Sequence, residues 1–461
     1  MFLGIGLLIC YILFIFLIIE KIYSGNLFYL FFYLLFFLPI YTVFQLLIFK
    51  TTQNTLLIDL LKYSKDFIIY SSFLIFVIGY KKKLIDINFK ITFLDKLVLL
   101  FSIISIFYCL VPLGEATFFA KAVYLKNILL IGIVYFFGRN IEIDSKKFRF
   151  IKKSIITVFL FAFIISTFEF LTGVHLHSLL DYGNYNFVLN GIEPSGNYGL
   201  SWSFERASDR PRFASFFSDP LEFSSSLLLF LSIPLYALIH NSKGLNFNLL
   251  ILFLISISFF YAYTRASIIS AFLMIFLALF ISKNYNVLIK IFSLIFFSFF
   301  IFFIFSDEDS IYFILDTLMF RESSSLNHLL EWIQSIISIF ENPFGIGLAM
   351  SGNASTVDES IKIGGENQFL IYGVQMGIIS ILVYLLILFY AISNSFYAYR
   401  NSQNFKKELC FIAGITKFGL LIPLITSNAE LALYISLVSW LLIGSVQRIL
   451  SKNLMERKFI N

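Results

Sequence analysis

Charge is scarce in this sequence. Only 13% of its 461 residues are Asp, Glu, Lys or Arg, against roughly 25% in an average globular chain. A water-soluble protein wrapped in a charged shell is therefore excluded. Cysteine is scarcer still. Cys10, Cys109 and Cys410 each fall inside an apolar segment and read as small buried hydrophobes, with no disulfide framework or metal cluster implied. There is no Walker phosphate loop and no dinucleotide-binding glycine fingerprint, so no ATP-driven step is expected, and no cofactor or bound metal is expected either. The start lacks the Lys or Arg of a cleavable signal peptide, and Phe2 to Ile19 is long enough to span, so the first helix is expected to stay as an anchor. No soluble domain and no internal repeat stands out.

What the chain has instead is apolar length. Hydrophobic residues make up 59%, including 61 Phe and 25 Tyr, and the mean hydropathy is +0.88. Apolar runs of about 20 residues match a hydrocarbon core of roughly 30 Å. Such runs fall near 2–19, 27–49, 67–80, 97–113, 122–138, 154–172, 222–239, 247–263, 266–282, 287–305, 368–392, 409–425 and 431–447. The expectation is an all-α polytopic membrane protein, one integral domain over 1–461 with about 12 transmembrane helices (11–13). The net charge of +6 is a topology signal and implies no nucleic-acid partner. Basic residues crowd 81–96, 139–153, 393–408 and the tail after Arg448, which puts these regions and the C-terminus in the cytoplasm. Two long loops, 173–221 and 306–367, then lie together outside. Lys50, Lys62 and Lys65 would also lie outside if all 13 runs span.

The second loop contains an expected amphipathic helix. Leu326, Leu329, Leu330, Ile333, Ile336, Ile337 and Phe340 recur at helical spacing, with His328, Glu331, Gln334, Ser335 and Ser338 on other faces; it should lie on the outer membrane surface. Pro343 ends it, and Gly345 and Gly347 allow a sharp turn.

The polar residues on that side form a short set. Arg206, Arg210 and Arg212 precede Asp219-Pro220 and Glu222, and Arg265 sits in a tight link between two runs. Guanidinium groups there suit an anionic phosphate; the alternative is snorkelling to headgroups, the reading favoured for Lys121 and balanced for Lys126. Glu366, with Asn367, stands where the chain enters its next apolar helix. It is either a neighbour of the helix cap or a general base. His175-x-His177 spells half a metal site without a third ligand nearby.

Taken together these residues resemble the bacterial O-antigen polymerase and ligase superfamily. The resemblance is carried by Arg212 followed by the Pro220 turn, and by the Thr264-Arg265-Ala266-Ser267 link. Ser323-Ser324-Ser325, His328, Trp332 and Pro343-Phe344-Gly345-Ile346-Gly347 follow in the second loop, which closes on Asn367, nine residues and Gly377. The fifth run, from Leu125-Lys126-Asn127 to Gly138-Arg139, is also similar. The match covers roughly residues 90–390. Ligases carry His in the loop-closing pair where this chain has Glu366, and His328 stands where relatives often have Arg.

The resemblance implies a GT-C-like fold in the bacterial cytoplasmic (inner) membrane. It implies a glycosyltransferase joining undecaprenyl-diphosphate-linked repeat units into O-antigen, capsule or exopolysaccharide. Glu366, Arg265 and Arg212 would be catalytic; Lys126, Arg206, Arg210, His328 and Asn367 would bind substrate. The partners would be the lipid-linked donor and acceptor, the bilayer and a chain-length regulator. A ligase acting on lipid A core or protein is the alternative, and a lipid-linked oligosaccharide flippase a more distant one.

Overall fold

The computed structural model describes residues 2–81, 90–205, 210–240, 245–283, 323–352 and 361–460. Among these the secondary structure is helical, and the one β pairing is the isolated bridge between Glu205 and Pro211. The long helices are α1 (Phe2–Tyr23), α2 (Phe28–Thr52), α3 (Thr55–Lys81), α4 (Phe93–Leu110), α5 (Phe118–Asn140), α6 (Ser145–Thr172) and α7 (Pro220–Ile239). They continue with α8 (Leu245–Ala262), α9 (Arg265–Ile281), α10 (Ser323–Glu341), α11 (Gln368–Asn401), α12 (Asn404–Thr426) and α13 (Leu433–Ile460). Nine of these are long and apolar enough to cross a membrane, and α8 and α9 are apolar but shorter. The chain is thus an all-α, multi-pass membrane protein. Large apolar side chains such as Phe16, Leu99, Phe161 and Phe389 stay exposed on the helices, as lipid-facing surfaces require.

Each expected apolar run falls on a helix except 287–305, which lies outside the described residues. The run at 67–80 is the second half of α3, which also takes in 55–66 with Asp59, Lys62, Lys65 and Asp66; α3 is not one of the nine. Lys50 donates to the Leu179 carbonyl (2.6 Å) and Lys62 to Asn190 (3.1 Å). These lysines therefore lie on the same side as the first long loop. The second run, α2, passes through a π turn (Tyr33–Phe37) and a 3-10 turn at Pro39, because proline cannot donate into a regular helix.

Helix starts follow local chemistry. Thr92 and Asp95 form a capping box on α4, and Thr117, Asp144 and Asp219 cap α5, α6 and α7. At the core, α5 crosses α13 at Gly138 and Gly444, where a Cβ on either would run into the other helix's backbone. Arg139, counted above among topology-setting cations, is fully buried beside this crossing. It forks onto both oxygens of Asp95 (2.9 Å each) and donates to Lys90 O and Ser451 Oγ. Its role is a structural bridge between helices. A second buried pair, Lys417–Glu430 (3.3 Å), joins α12 to the turn before α13. Glu430 also accepts from Tyr384, Ser436 and Trp440. Removing one partner of such a pair costs about 3–5 kcal/mol.

The helix α11 is 34 residues long and broken at Gly377 (φ 79°, ψ 178°). The part after Gly377 alone has the length of a span, so the first part, residues 368–376, is a separate half-helix. The Pro343–Gly347 turn fills the break. Ile346 N donates to Val374 O (2.8 Å), Gly347 N to Gln375 O (3.1 Å), and Ile378 N to Pro343 O (3.0 Å). Ser380 Oγ bonds the Tyr372 and Gly377 carbonyls (2.7 Å each). The other wall of the turn is the 111–114 corner. Tyr108 donates to Phe344 O, and Lys121 Nζ caps Val111 O (3.0 Å) and Leu113 O (2.6 Å). Lys121 is 4% exposed, so it does not snorkel; it holds the end of α4. A Cβ at Gly377 would meet Pro343 O and the Phe344 backbone, and its φ disfavours any side chain. Gly377→Ala should therefore destabilise the protein by about 1–3 kcal/mol. Gly6→Ala in α1, where a Cβ meets nothing, should leave thermal unfolding in detergent unchanged or slightly raised.

Candidate functional site

The expected amphipathic helix is α10, and its burial is inverted relative to a helix on a soluble core. Phe340 is 77% exposed, and Leu326, Leu330, Ile333, Ile336 and Ile337 form the same outward row, whereas Ser335 and Ser338 are buried. An apolar row facing out and a polar row facing in is the arrangement of a helix lying in a lipid interface. His328, Glu331, Ser335 and Ser338 recur at three- and four-residue spacing on the inner face. Ser335 packs against Gly364, whose φ of +59° and missing Cβ allow the approach. Further along the inner face, His328 Nδ1 meets the Glu366 carboxylate. Both side chains keep about a third of their surface open (30% and 33%).

The cap of α11 is Asn367. Its Oδ1 accepts from Phe369 N (3.0 Å) and Leu370 N (3.2 Å), so its side chain is engaged by the helix end. Capping is thus done by Asn367, and Glu366 beside it faces His328.

The arginines gather at the start of α9. Arg212 N donates to Phe204 O (2.8 Å) and Phe213 N to Tyr261 O (3.1 Å), which lays this segment against the α8–α9 link. Arg210 Nη1 reaches Tyr263 Oη (3.4 Å) and its guanidinium lies over that ring. Arg265, part-buried, is the first residue of α9, and the Thr264 carbonyl receives the Ile268 amide. Arg206 lies outside the described residues. Arg212 also acts on Asp219: burial pushes this carboxyl up, while the Leu221 and Glu222 amides it accepts and Arg212 pull it down. Glu222 bonds Ser218 and reaches across to Tyr434 N (2.9 Å) at the start of α13. The structure therefore forms two groups from the expected site residues, Glu366–His328 and Arg210–Arg212–Arg265. Both stand at the loop end of the bundle, since α13 begins next to Glu222 and its preceding turn shares a crevice with Gln368.

Lys126 belongs to neither group. Its ammonium is held by Asp66 of α3 and lies over the Tyr63 ring. Asp66 and Glu430 were missed by sequence reasoning. Glu430 had a usable signal, an ionisable residue entering an apolar run, the same signal as Glu366. A further omission lies in the second loop: Asp307-Glu308-Asp309 has the Asp-x-Asp spacing of a metal–nucleotide clamp, outside the described residues, and it weighs against reading that loop as metal-free. No protein-family model matches the chain, and no curated protein matches it.

His175 and His177 sit inside the first loop, among the Tyr198, Phe204, Phe213 and Tyr182 rings. Among the described residues, no group of three His, Cys, Asp or Glu is placed to hold a metal. Glu169, at the end of α6, ties this loop down by accepting from Leu176 N and Ser215 N (2.8 Å each). Burial pushes His175 down to about 4 and, with the nearby His175, pushes His177 down to about 3, from an ordinary 6.5. The unfolded loop thus takes up protons first. The stability supplied by neutral packing is complete above pH 6.5 and is lost as pH falls through the window down to about 4 and 3. Amide exchange over 173–191, corrected for its intrinsic pH dependence, should speed up across that window. His177→Leu should flatten the change; an unaltered profile in that variant contradicts the assignment.

Proposed function

We propose that the protein is a glycosyltransferase that polymerises undecaprenyl-diphosphate-linked oligosaccharide repeat units. In this reading it works on the outer face of the bacterial cytoplasmic membrane, in a GT-C-like fold of about 12 spans with its C-terminus inside. The observation that carries it is the half-open Glu366–His328 pair, held between an interfacial helix and a capped half-helix. A lipid-linked acceptor travels in the interface that α10 occupies, and a carboxylate waits on the inner face of that helix.

The chemistry balances without a cofactor. The acceptor hydroxyl gives its proton to Glu366 as its oxygen bonds to the donor's anomeric carbon. The bond from that carbon to the diphosphate oxygen breaks on the opposite face, so the anomeric centre inverts. The electron pair leaves with the diphosphate, whose growing charge Arg212, Arg265 and Arg210 offset. His328 orients Glu366. Glu366 in place of the ligases' His favours a polymerase.

Glu366→Gln should slow chain elongation by about 10²–10⁴-fold, the usual worth of a general base, and Arg265→Ala by about 10²–10³-fold. Both proteins should still insert; normal glycan ladders from either would remove it from the site. Deleting the gene should leave a single repeat unit on its core, whereas loss of every attached unit indicates a ligase. Elongation should survive EDTA. Its loss would show a divalent-cation requirement and replace the arginine-only account of the leaving group.

A further inference from the structure

Lys62 and Lys65 lie one turn apart on α3, on the same side as the first long loop, and belong to neither of the two groups described above. In the proposed orientation that side is outside, where Lys and Arg are normally sparse. Their ammonium groups are held in place. Lys62 Nζ lies over the Tyr185 ring (5.9 Å) and donates to Asn190 Oδ1 (3.1 Å), both on the short first-loop helix Tyr182–Asn190. Lys65 Nζ lies over the Tyr41 ring of α2 (5.2 Å) and donates to Lys62 O (3.3 Å). The two rings are linked in turn. Tyr185 Oη donates to Gln45 Oε1 (3.2 Å), and Gln45 is one turn along α2 from Tyr41. Thus α2, α3 and the loop helix close into one basic patch, each residue in contact with the next. Gln45 is 5% exposed and its Nε2 has no hydrogen-bond partner, which leaves a further donor edge inside the patch.

The nearby carboxylates leave this charge uncompensated. Asp66 is engaged by Lys126. Asp59 meets Lys62 only at 3.9 Å and is 55% exposed, where a pair adds little. Among the described residues no carboxylate forms an ion pair with Lys65. Glu222 is close enough for its charge to act on Lys65, which sets the patch beside the start of α7, the end that the Arg212 segment leads into. The apolar half of α3 begins two residues on, at the exposed Phe67, so the lysines stand where a lipid's phosphate meets the bilayer edge. Lysine is a point charge, suited to a phosphate that only needs holding, whereas the arginine fork suits a leaving group whose oxygens take up charge. We propose that Lys62 and Lys65 form a second anion site, which holds the diphosphate of the acceptor lipid while the arginines take that of the donor. This rests on the polymerase reading, in which two lipid-linked chains are bound together.

The test counts bound lipids by native mass spectrometry of the full chain released from nanodiscs. The probe is undecaprenyl diphosphate, with undecaprenol and phosphatidylglycerol as competitors. The parent should take up undecaprenyl diphosphate in two separable binding events, and undecaprenol should displace neither. Lys62→Gln and Lys65→Gln should each weaken one of the two events, and together they should weaken it at least tenfold and leave the other unchanged. Lys62→Arg with Lys65→Arg should keep both, because the charge is retained. A single binding event in the parent overturns the proposal, and so do two undiminished events in all the Gln variants. Displacement by phosphatidylglycerol as effective as by undecaprenyl diphosphate itself also overturns it, since the patch is then a general headgroup contact. Elongation is measured separately. Elongation by a parent that binds only one diphosphate lipid overturns the lysine site alone, and two binding events without any elongation overturn the polymerase reading alone.

Discussion

The break in α11 at Gly377 is the constraint on which the loop end of the molecule depends. A break inside a buried helix leaves amides and carbonyls that must find other partners. Here the Pro343–Gly347 turn supplies the missing partners, and that turn is the direct continuation of α10. Filling the break therefore fixes where α10 ends and which face it turns inward. His328, more than three turns earlier on that inner face, is brought onto Glu366 as a consequence. The corner at 111–114, pinned by Lys121, closes the other wall. One backbone problem and its solution thus connect α4, α5, α10 and α11.

Charges in the bundle divide by exposure. Arg139–Asp95 (1% and 13% exposed) and Lys417–Glu430 (1% and 4%) are closed pairs. In each the partners come from separate elements, and their work is to hold those elements together. Glu366–His328 has the same kind of partnership but remains about a third open on both sides. A closed pair has no room for a substrate proton, and an open one does. That difference, rather than the presence of a carboxylate in an apolar chain, separates Glu366 from Glu430 in the account of function.

Much of this was legible in the sequence for simple reasons. Apolar length finds helices because burial in lipid needs nothing else, and the two faces of α10 were visible in the spacing of Leu326, Leu330, Ile333 and Ile337. The turn at Pro343 and the glycines at 345, 347 and 377 were visible as residues, but their mutual docking was not, since it joins segments far apart in the sequence through backbone groups. Arg139 and Lys121 misled because a cation near a helix end reads as a loop or headgroup residue; only packing shows that Asp95 and the 111–113 carbonyls hold them. Asn367 and Glu366 were ambiguous as neighbours at one cap, and the hydrogen bonds to Phe369 and Leu370 divide the roles.

The most direct measurement of the central claim is elongation by the purified protein in liposomes. The substrate is a purified undecaprenyl-diphosphate-linked repeat unit from the producing cell. The account predicts a ladder of lengthened lipid-linked glycans, one undecaprenyl diphosphate released per linkage formed, and inversion at each new anomeric centre. A substrate that stays at one repeat unit while the protein remains folded contradicts it.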